Sequence, residues 1–478
     1  MAAPGTVVDR YFEVTRRGST IEREVRGGVA TFFTMAYIVV LNPIILTAAA
    51  DVDGTRLPFS AVATSTALVA AAMTLLMGIV GRYPIALAAG LGLNGVVAFS
   101  LASQMSWAAA MGIVVIEGVV ITLLVLTGLR EAVFDAIPLA LKQSISVGIG
   151  LFIAIIGFVD AGFVRRTAAG PVPVELGVGG RLVGWPSAIF VFGLLLTLVL
   201  LARRVRGAIL IGIVVTTLVA IAVNAVVDVG PQFGADGAMD PRGWALNVPA
   251  LPDDLFASPD FSLLGDFSLF GSVDAVGVVA VVLLVFTLML ADFFDTMGTV
   301  VGVGNEGHLL DDEGRLPGLR RVLLVDSLAA AAGGAASASS NTSYIESTAG
   351  VGDGARTGLA SVATGSLFLG ALFLTPLFAI VPYEAAAPAL VAVGFLLATQ
   401  VRAIPWDDYE LAIPCFLTIV LMPFTYSITN GIGAGFVSYV VLKLAAGKVR
   451  EIHPLLVAIA VLFVAYFAIE NVEGLLGV

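Results

Sequence analysis

Acidic side chains are scarce in the apolar stretches of this 478-residue chain, so each one there needs a chemical account. Asp292 and Asp295 fall in the run 274–300, Asp326 in 320–337, Glu117 in 107–128, and Glu346 in the polar run 337–351. Placing a charge at the centre of an apolar span costs about 2.5–3.5 kcal/mol, and such groups mark ion or substrate paths by default. On a helix, Asp295 and Thr299 stand one turn apart on a shared face, with Asp292 three residues earlier. Glu346 lies within Tyr344-Ile345-Glu346-Ser347-Thr348, where an interrupted helix leaves N–H groups to be satisfied. A carboxylate there can accept two N–H bonds from a flat heterocycle while backbone groups read its other edge. Burial favours the protonated carboxyl, and two acids at one site repel, so one tends to hold a proton. That is a physical route to coupling proton entry with uptake of a neutral ligand. The other reading is that these acids pair with backbone donors and fix helix packing. Asp326, near a helix end, and Glu117 are assigned to that role.

Other chemistries find less support. The lone cysteine, Cys415, sits in an apolar run, so no intrachain disulfide or cysteine metal cluster can form. The two histidines, His308 and His453, fall in predicted loops. No metal site, cofactor or nucleic-acid partner is expected. Gly90-x-Gly92-x-x-Gly95 and Gly302-x-Gly304-x-x-Gly307 match the dinucleotide fingerprint, which has meaning only between a strand and a helix. Their flanks here are apolar spans, and 53 glycines make chance matches expected.

The elements that must position the acids follow from composition. Hydrophobic residues make up 59% of the chain and charged ones 12%, where a soluble domain carries about a quarter charged. Such a chain cannot cover itself with polar surface, and its solvent must be lipid. The apolar stretches are continuous rather than alternating, which argues against a β-barrel. Hydropathy predicts spans at 29–49, 60–80, 84–100, 107–128, 141–160, 186–203, 207–228, 274–300, 320–337, 341–351, 359–381, 385–401, 411–428 and 431–446. A further apolar stretch, 454–470, either spans or lies along the interface. The expectation is an all-α polytopic membrane protein of about fourteen segments.

Arg10, Arg16, Arg17, Arg23 and Arg26 precede the first span and predict a cytoplasmic N-terminus, with no cleavable leader. Alternation then puts Arg82, Arg203, Arg204, Arg206, Arg320, Arg321, Arg402, Lys443 and Lys448 inside; Arg165, Arg166 and Arg181 dissent. The loop between Asp228 and Asp266, with seven Asp against one Arg, falls outside. It divides the chain into a cytoplasmic N-terminus (1–28), a first seven-span repeat (29–228), an extracytoplasmic loop (229–273), a second seven-span repeat (274–446) and a C-terminal extension (447–478). Seven spans per half place the halves in opposite orientations, the inverted-repeat plan of many secondary transporters. Ala30-Thr31-Phe32-Phe33-Thr34 echoes Ala291-Asp292-Phe293-Phe294-Asp295 across the halves. The third segment is interrupted by Gly90-Leu91-Gly92-Leu93-Asn94-Gly95, and 337–351 is too polar to face lipid. Broken segments at matching places point to a transporter's central site, because irregular backbone at membrane depth survives only where protein or water covers it.

Several of these runs resemble one family. Asp292-Phe-Phe-Asp295-Thr-Met-Gly-Thr299 is similar to the eighth-helix signature of the nucleobase–cation symporter-2 family, in its hypoxanthine/guanine/adenine permease branch. Asn341-Thr-Ser-Tyr-Ile-Glu346-Ser-Thr-Ala-Gly350 resembles that branch's tenth segment and Gly90-Leu-Gly-Leu-Asn94 its third. Arg26-Gly-Gly-Val-Ala-Thr-Phe-Phe-Thr-Met-Ala-Tyr37 and Ala412-Ile-Pro-Cys-Phe-Leu-Thr-Ile419 extend the likeness over nearly the whole chain. The resemblance implies two inverted seven-helix repeats, a core domain (helices one to four and eight to eleven), a gate domain (five to seven and twelve to fourteen), and short strands in the third and tenth segments. It also implies that Glu346 grips a purine base, that Asp295 binds it or carries the proton, and that Asn94 tunes the pocket. A homodimer through the gate is a further implication. Ile345, beside Glu346, is placed among the substrate-binding residues. Phe33 is suggested separately as a stacking ring, because aromatic faces suit flat heterocycles.

The expected function is proton-coupled uptake of purine nucleobases (adenine, guanine, hypoxanthine) across the cell inner membrane. The alternative is an anion transporter or channel of similar architecture, against which Asp295 and Glu346 argue by repulsion. An intramembrane enzyme ranks last, since no histidine lies in a span and Cys415 has no evident partner.

Overall fold

The computed structural model describes residues 6–127, 137–167, 173–233, 239–245, 247–252, 254–311 and 316–476. Continuous apolar sequence becomes helix here because backbone groups in lipid must be satisfied within their own segment. The first half contains α1 (Val7–Phe12), α2 (Ile21–Met35), α3 (Ile38–Ala48), α4 (Phe59–Leu76), strand β1 (Leu87–Ala89), α5 (Leu91–Val96), α6 (Trp107–Thr127), α7 (Leu139–Asp160), α8 (Gly184–Ala202) and α9 (Ala208–Val227). A small hairpin, β2 (Val164–Arg166) with β3 (Val174–Leu176), lies between α7 and α8 and has no counterpart among the sequence expectations.

The second half contains α10 (Gly271–Glu306), α11 (Leu319–Ala335), strand β4 (Asn341–Ser343), α12 (Ser347–Gly352), α13 (Gly358–Ala371), α14 (Thr375–Ala379), α15 (Tyr383–Ala398), α16 (Tyr409–Phe424), α17 (Ile428–Ala445) and α18 (Pro454–Leu476). Every one of the expected spans falls on helix, two of them led by a strand. Among the described residues, nine helices are long and apolar enough to cross a membrane by themselves. The first of these, Ile21–Ala48, begins eight residues before the hydropathy boundary, because its opening turns are polar. The C-terminal stretch is a helix: α18 packs beside α17, with Phe463 fully buried against Phe436 and facing Gly433.

Two bundles result. In one, α6 packs on α11, α4 and α2 on α13, and α10 on α6. In the other, α7 packs on α15 and α16, α8 on α9 and α15, and α16 on α17. Exchanging α7, α8 and α9 for α15, α16 and α17 turns α7–α16 into α15–α8 and α8–α9 into α16–α17. All of those contacts exist, which is the signature of an inverted repeat. The first bundle is the core domain and the second the gate. Glycine sets both central crossings. A Cβ on Gly118 would sit 2.3 Å from the Ala331 nitrogen in the core. In the gate, a Cβ on Gly150 would lie 2.7 Å from the Gly394 carbonyl oxygen, and one on Gly394 2.5 Å from that of Gly150.

One end of the molecule gathers basic side chains. Arg17 donates to the carbonyls of Arg82 and Arg356, Arg26 donates to that of Asp353, and Arg206 bonds the Asp353 carboxylate. The acidic loop covers the other end. Trp244 and Ala245 tie it to the gate through Asn224 and Glu384. Asp260, Gly265 and Ser268 tie it to the core through Thr64, Ala335 and Ala108. Two of its seven acids, Asp236 and Asp253, lie outside the described residues.

Candidate functional site

The site begins where the two broken segments cross. β1 and β4 pair antiparallel in the register Leu87↔Ser343, Ala88↔Thr342, Ala89↔Asn341. Two-stranded sheets leave outer edges unpaired, and here side chains satisfy them. Thr74 Oγ1 serves both the N–H (2.9 Å) and the carbonyl (3.0 Å) of Leu87. On the other strand, the Asp326 carboxylate accepts from the Ser343 N–H (3.0 Å), the Ser343 hydroxyl (2.8 Å) and the Thr296 hydroxyl (2.7 Å). Thr296 also bonds the Thr342 hydroxyl at 2.9 Å, and Thr299 donates to the Ser343 carbonyl at 3.2 Å. Asp326 is therefore the clamp between β4 and α10. Glu117, on α6, accepts from the Ser340 hydroxyl at 3.1 Å, just before the strand. Both acids take the structural role expected of them.

Past the strands the chain turns into α5 and α12, and a cavity of about 380 Å³ opens between core and gate. That volume falls in the range of small-molecule sites. The core side contributes Tyr37, Leu91, Gly92, Leu93, Asp295, Thr299, Ser343, Tyr344, Ile345 and Glu346. The gate side contributes Ser146 and Ile149 from α7 with Val393, Leu396 and Leu397 from α15, followed by Gln400. Asp295 and Glu346 thus face one cavity and are close enough for their charges to interact. The Tyr37 hydroxyl bonds one oxygen of Glu346. Thr34 approaches the Glu346 carbonyl at 3.4 Å.

The backbone around Glu346 is less open than the sequence suggested. Tyr344 N–H bonds the Ala86 carbonyl, and Ser347, Thr348 and Ala349 donate to the carbonyls of Tyr344, Ile345 and Glu346. The Ala86 carbonyl and tight turns at the start of α12 take up these four donors. Ile345 is 46% exposed and lines the cavity. Asn94 does not line it: the side chain is fully buried behind the wall, where it donates to Asn42 Oδ1 at 3.1 Å. Asn42 in turn bonds Thr66 and the Ala338 carbonyl. Phe33 does not line it either. Its ring is 56% exposed and packs edge-on against Phe32 at 5.5 Å.

Sequence reasoning passed over Tyr37, Ser146 and Gln400. A tyrosine hydroxyl inside an apolar run requires a partner, and that requirement marked Tyr37. Nothing in the sequence marked Ser146 or Gln400, which reach the cavity only because two distant gate helices cross.

A second cavity of about 530 Å³ adjoins the first, with Ile345, Glu346 and Leu396 common to both. Its remaining wall includes Arg204, Arg206 and Glu306, at the basic end of the molecule.

The comparisons with known proteins agree with this architecture. The transmembrane domain of a cyanobacterium bicarbonate transporter, BicA, superposes with a TM-score of 0.55 over 86% of this chain and 96% of its own, at 15% identity. Murine Slc26a9, an anion transporter in the inward-facing state, gives 0.57 over 93% of this chain and 73% of its own, at 11% identity. These share the fold. Sequence relatives are nearer. Guanine/hypoxanthine permease PbuG of Bacillus subtilis is 35% identical over 96% of this chain and 98% of its own length. Guanine/hypoxanthine permease PbuO of the same organism is 38% identical over 95% and 98%. Adenine permease AdeP of Escherichia coli is 34% identical over 96% and 95%. Residues 22–434 match the model of the Permease family. The chain is a multi-pass membrane transporter rather than an enzyme, and it belongs to the Permease family, in the branch that holds the guanine/hypoxanthine and adenine permeases.

Proposed function

We propose that this protein carries purine nucleobases into the cell together with protons. The observation that bears most weight is Glu346: a carboxylate at the mouth of a broken helix, held by Tyr37, facing a cavity large enough for a flat bicyclic base. An ionised carboxylate accepts N–H bonds, and every purine base offers them. Asp295, across the same cavity, is the second acid. With two carboxyls sharing one space, binding and release of a proton are linked to what lies between them. Asp295 is accordingly assigned the coupling role and Glu346 the grip.

The anion reading is weaker. Among the described residues that line the main cavity there is no Lys, Arg or His, and the two acids would repel an anion. Orientation follows the positive charges: the basic end is cytoplasmic and with it the N-terminus, so the second cavity is the inward exit. The inner membrane is the expected location. The homodimer in this reading packs through the exposed apolar faces of α8 and α9, which include Leu195 and Leu218.

The test is uptake into proteoliposomes with radiolabelled adenine, guanine and hypoxanthine. Saturable accumulation of at least one base under an inward proton gradient, abolished by a protonophore, is expected. Asp295→Asn should bind base yet lose the dependence of accumulation on the gradient. Failure of all three bases to enter refutes the proposal, and normal gradient-driven accumulation by Asp295→Asn refutes the coupling assignment.

A further inference from the structure

Glu346 cannot by itself tell one purine from another. A carboxylate only accepts when ionised, so Glu346 takes an N–H donor from any base presented to it. Adenine differs from hypoxanthine and guanine on the six-membered ring, where an amino donor replaces an oxo acceptor. Reading that difference needs a group free to donate and to accept, and the core hydroxyls direct their protons inward: Tyr37 to Glu346, Thr299 to the Ser343 carbonyl, Ser343 to Asp326 and Tyr344 to the Ala89 carbonyl.

Among the described residues, the gate wall is apolar apart from two side chains. Ile149, Val393, Leu396 and Leu397 give it a hydrophobic face; Ser146 and Gln400 interrupt it. Ser146 lies one helical turn before Gly150 on the same face of α7, and Gln400 follows Gly394 at the end of α15. The backbones of α7 and α15 touch at those two glycines, which brings Ser146 and the turn that carries Gln400 to the same cavity. Gln400 is exposed on the short 3-10 turn Thr399–Ala403, and its amide carries two donors and an acceptor.

We infer that Gln400, assisted by Ser146, is the specificity-determining group of the site: it meets the edge of the base that Glu346 leaves free and sets the preference between 6-amino and 6-oxo purines. This rests on the purine reading above.

Gln400→Glu removes the donors and Gln400→Lys removes the acceptor. Gln400 is exposed, so both variants should fold, as checked by size-exclusion elution. The measurement is the ratio of adenine to hypoxanthine affinity, by competition binding to the purified full chain. The ratio is expected to rise about tenfold in the Glu variant and fall about tenfold in the Lys variant, with a smaller change for Ser146→Ala, as mispaired hydrogen bonds of this size produce. Unchanged ratios overturn the inference, as does equal weakening of both bases in both variants. Wild-type protein is the control that separates the two ideas. If it binds neither base, the purine reading itself falls and this inference with it. If it binds and the ratios stay fixed, only the role of Gln400 is lost.

Discussion

The two broken segments, Leu87–Leu101 and Asn341–Gly352, enter the membrane as the same object: three residues of strand, a turn and a helix start, paired face to face. Their chemistry differs at the strands and at the third residue past them. The first strand is Leu-Ala-Ala and the second Asn-Thr-Ser. The third residue past the first strand is Gly92; past the second it is Glu346. Both line the cavity. A Cβ on Gly92 would sit 2.8 Å from Ile149 Cγ2, so that segment gives up its side chain to make room against the gate. The other supplies the charge that fills the room. An inverted repeat thus supplies a symmetric frame, and one copy of the break has become space while the other has become the binding group.

The clamps that hold the strands show the same division, and they offer ways to break the comparison. The largest effect is expected from Asp326→Ala. It strands three buried donors, each worth about 1–3 kcal/mol when left unsatisfied. The thermal unfolding midpoint should drop steeply and transport should vanish; a mutant as stable as wild type would show that β4 is held by something else. Next comes Glu346→Gln, which replaces an acceptor oxygen with a donor and keeps the shape. Base affinity should weaken by roughly a hundredfold, or about 3 kcal/mol, with folding intact. Unaltered affinity in titration calorimetry would remove Glu346 from the site. The smallest effect is expected from Thr74→Val, because the hydroxyl that serves β1 is neutral and bonds one residue only. A loss of about 1–2 kcal/mol in stability, with base affinity nearly unchanged, would confirm that β1 is scaffold. A loss of affinity to match Glu346→Gln would erase the contrast between the segments.

Much of this was legible in the sequence, for reasons that differ residue by residue. Asp295 and Glu346 stood out because a carboxyl in an apolar run is costly and must have a use. The run 337–351 read as a broken segment because it is too polar for lipid. Phe33 and Tyr37 stand four residues apart across the junction of α2 and α3, yet Tyr37 lines the cavity and Phe33 does not, a difference that spacing alone does not foretell. Asn94 lies two residues past Gly92 on a short helix, roughly half a turn around, and so points into the core. The gate residues were invisible because their nearness to the acids is a product of tertiary crossing alone.

That crossing has a mechanical side. Where Gly150 meets Gly394, main chain rests on main chain, with no side-chain layer between to deform. Such a joint leaves no room for even a methyl group on either helix, so Gly150→Ala or Gly394→Ala would push apart the two helices that carry Ile149 and Val393 to the cavity.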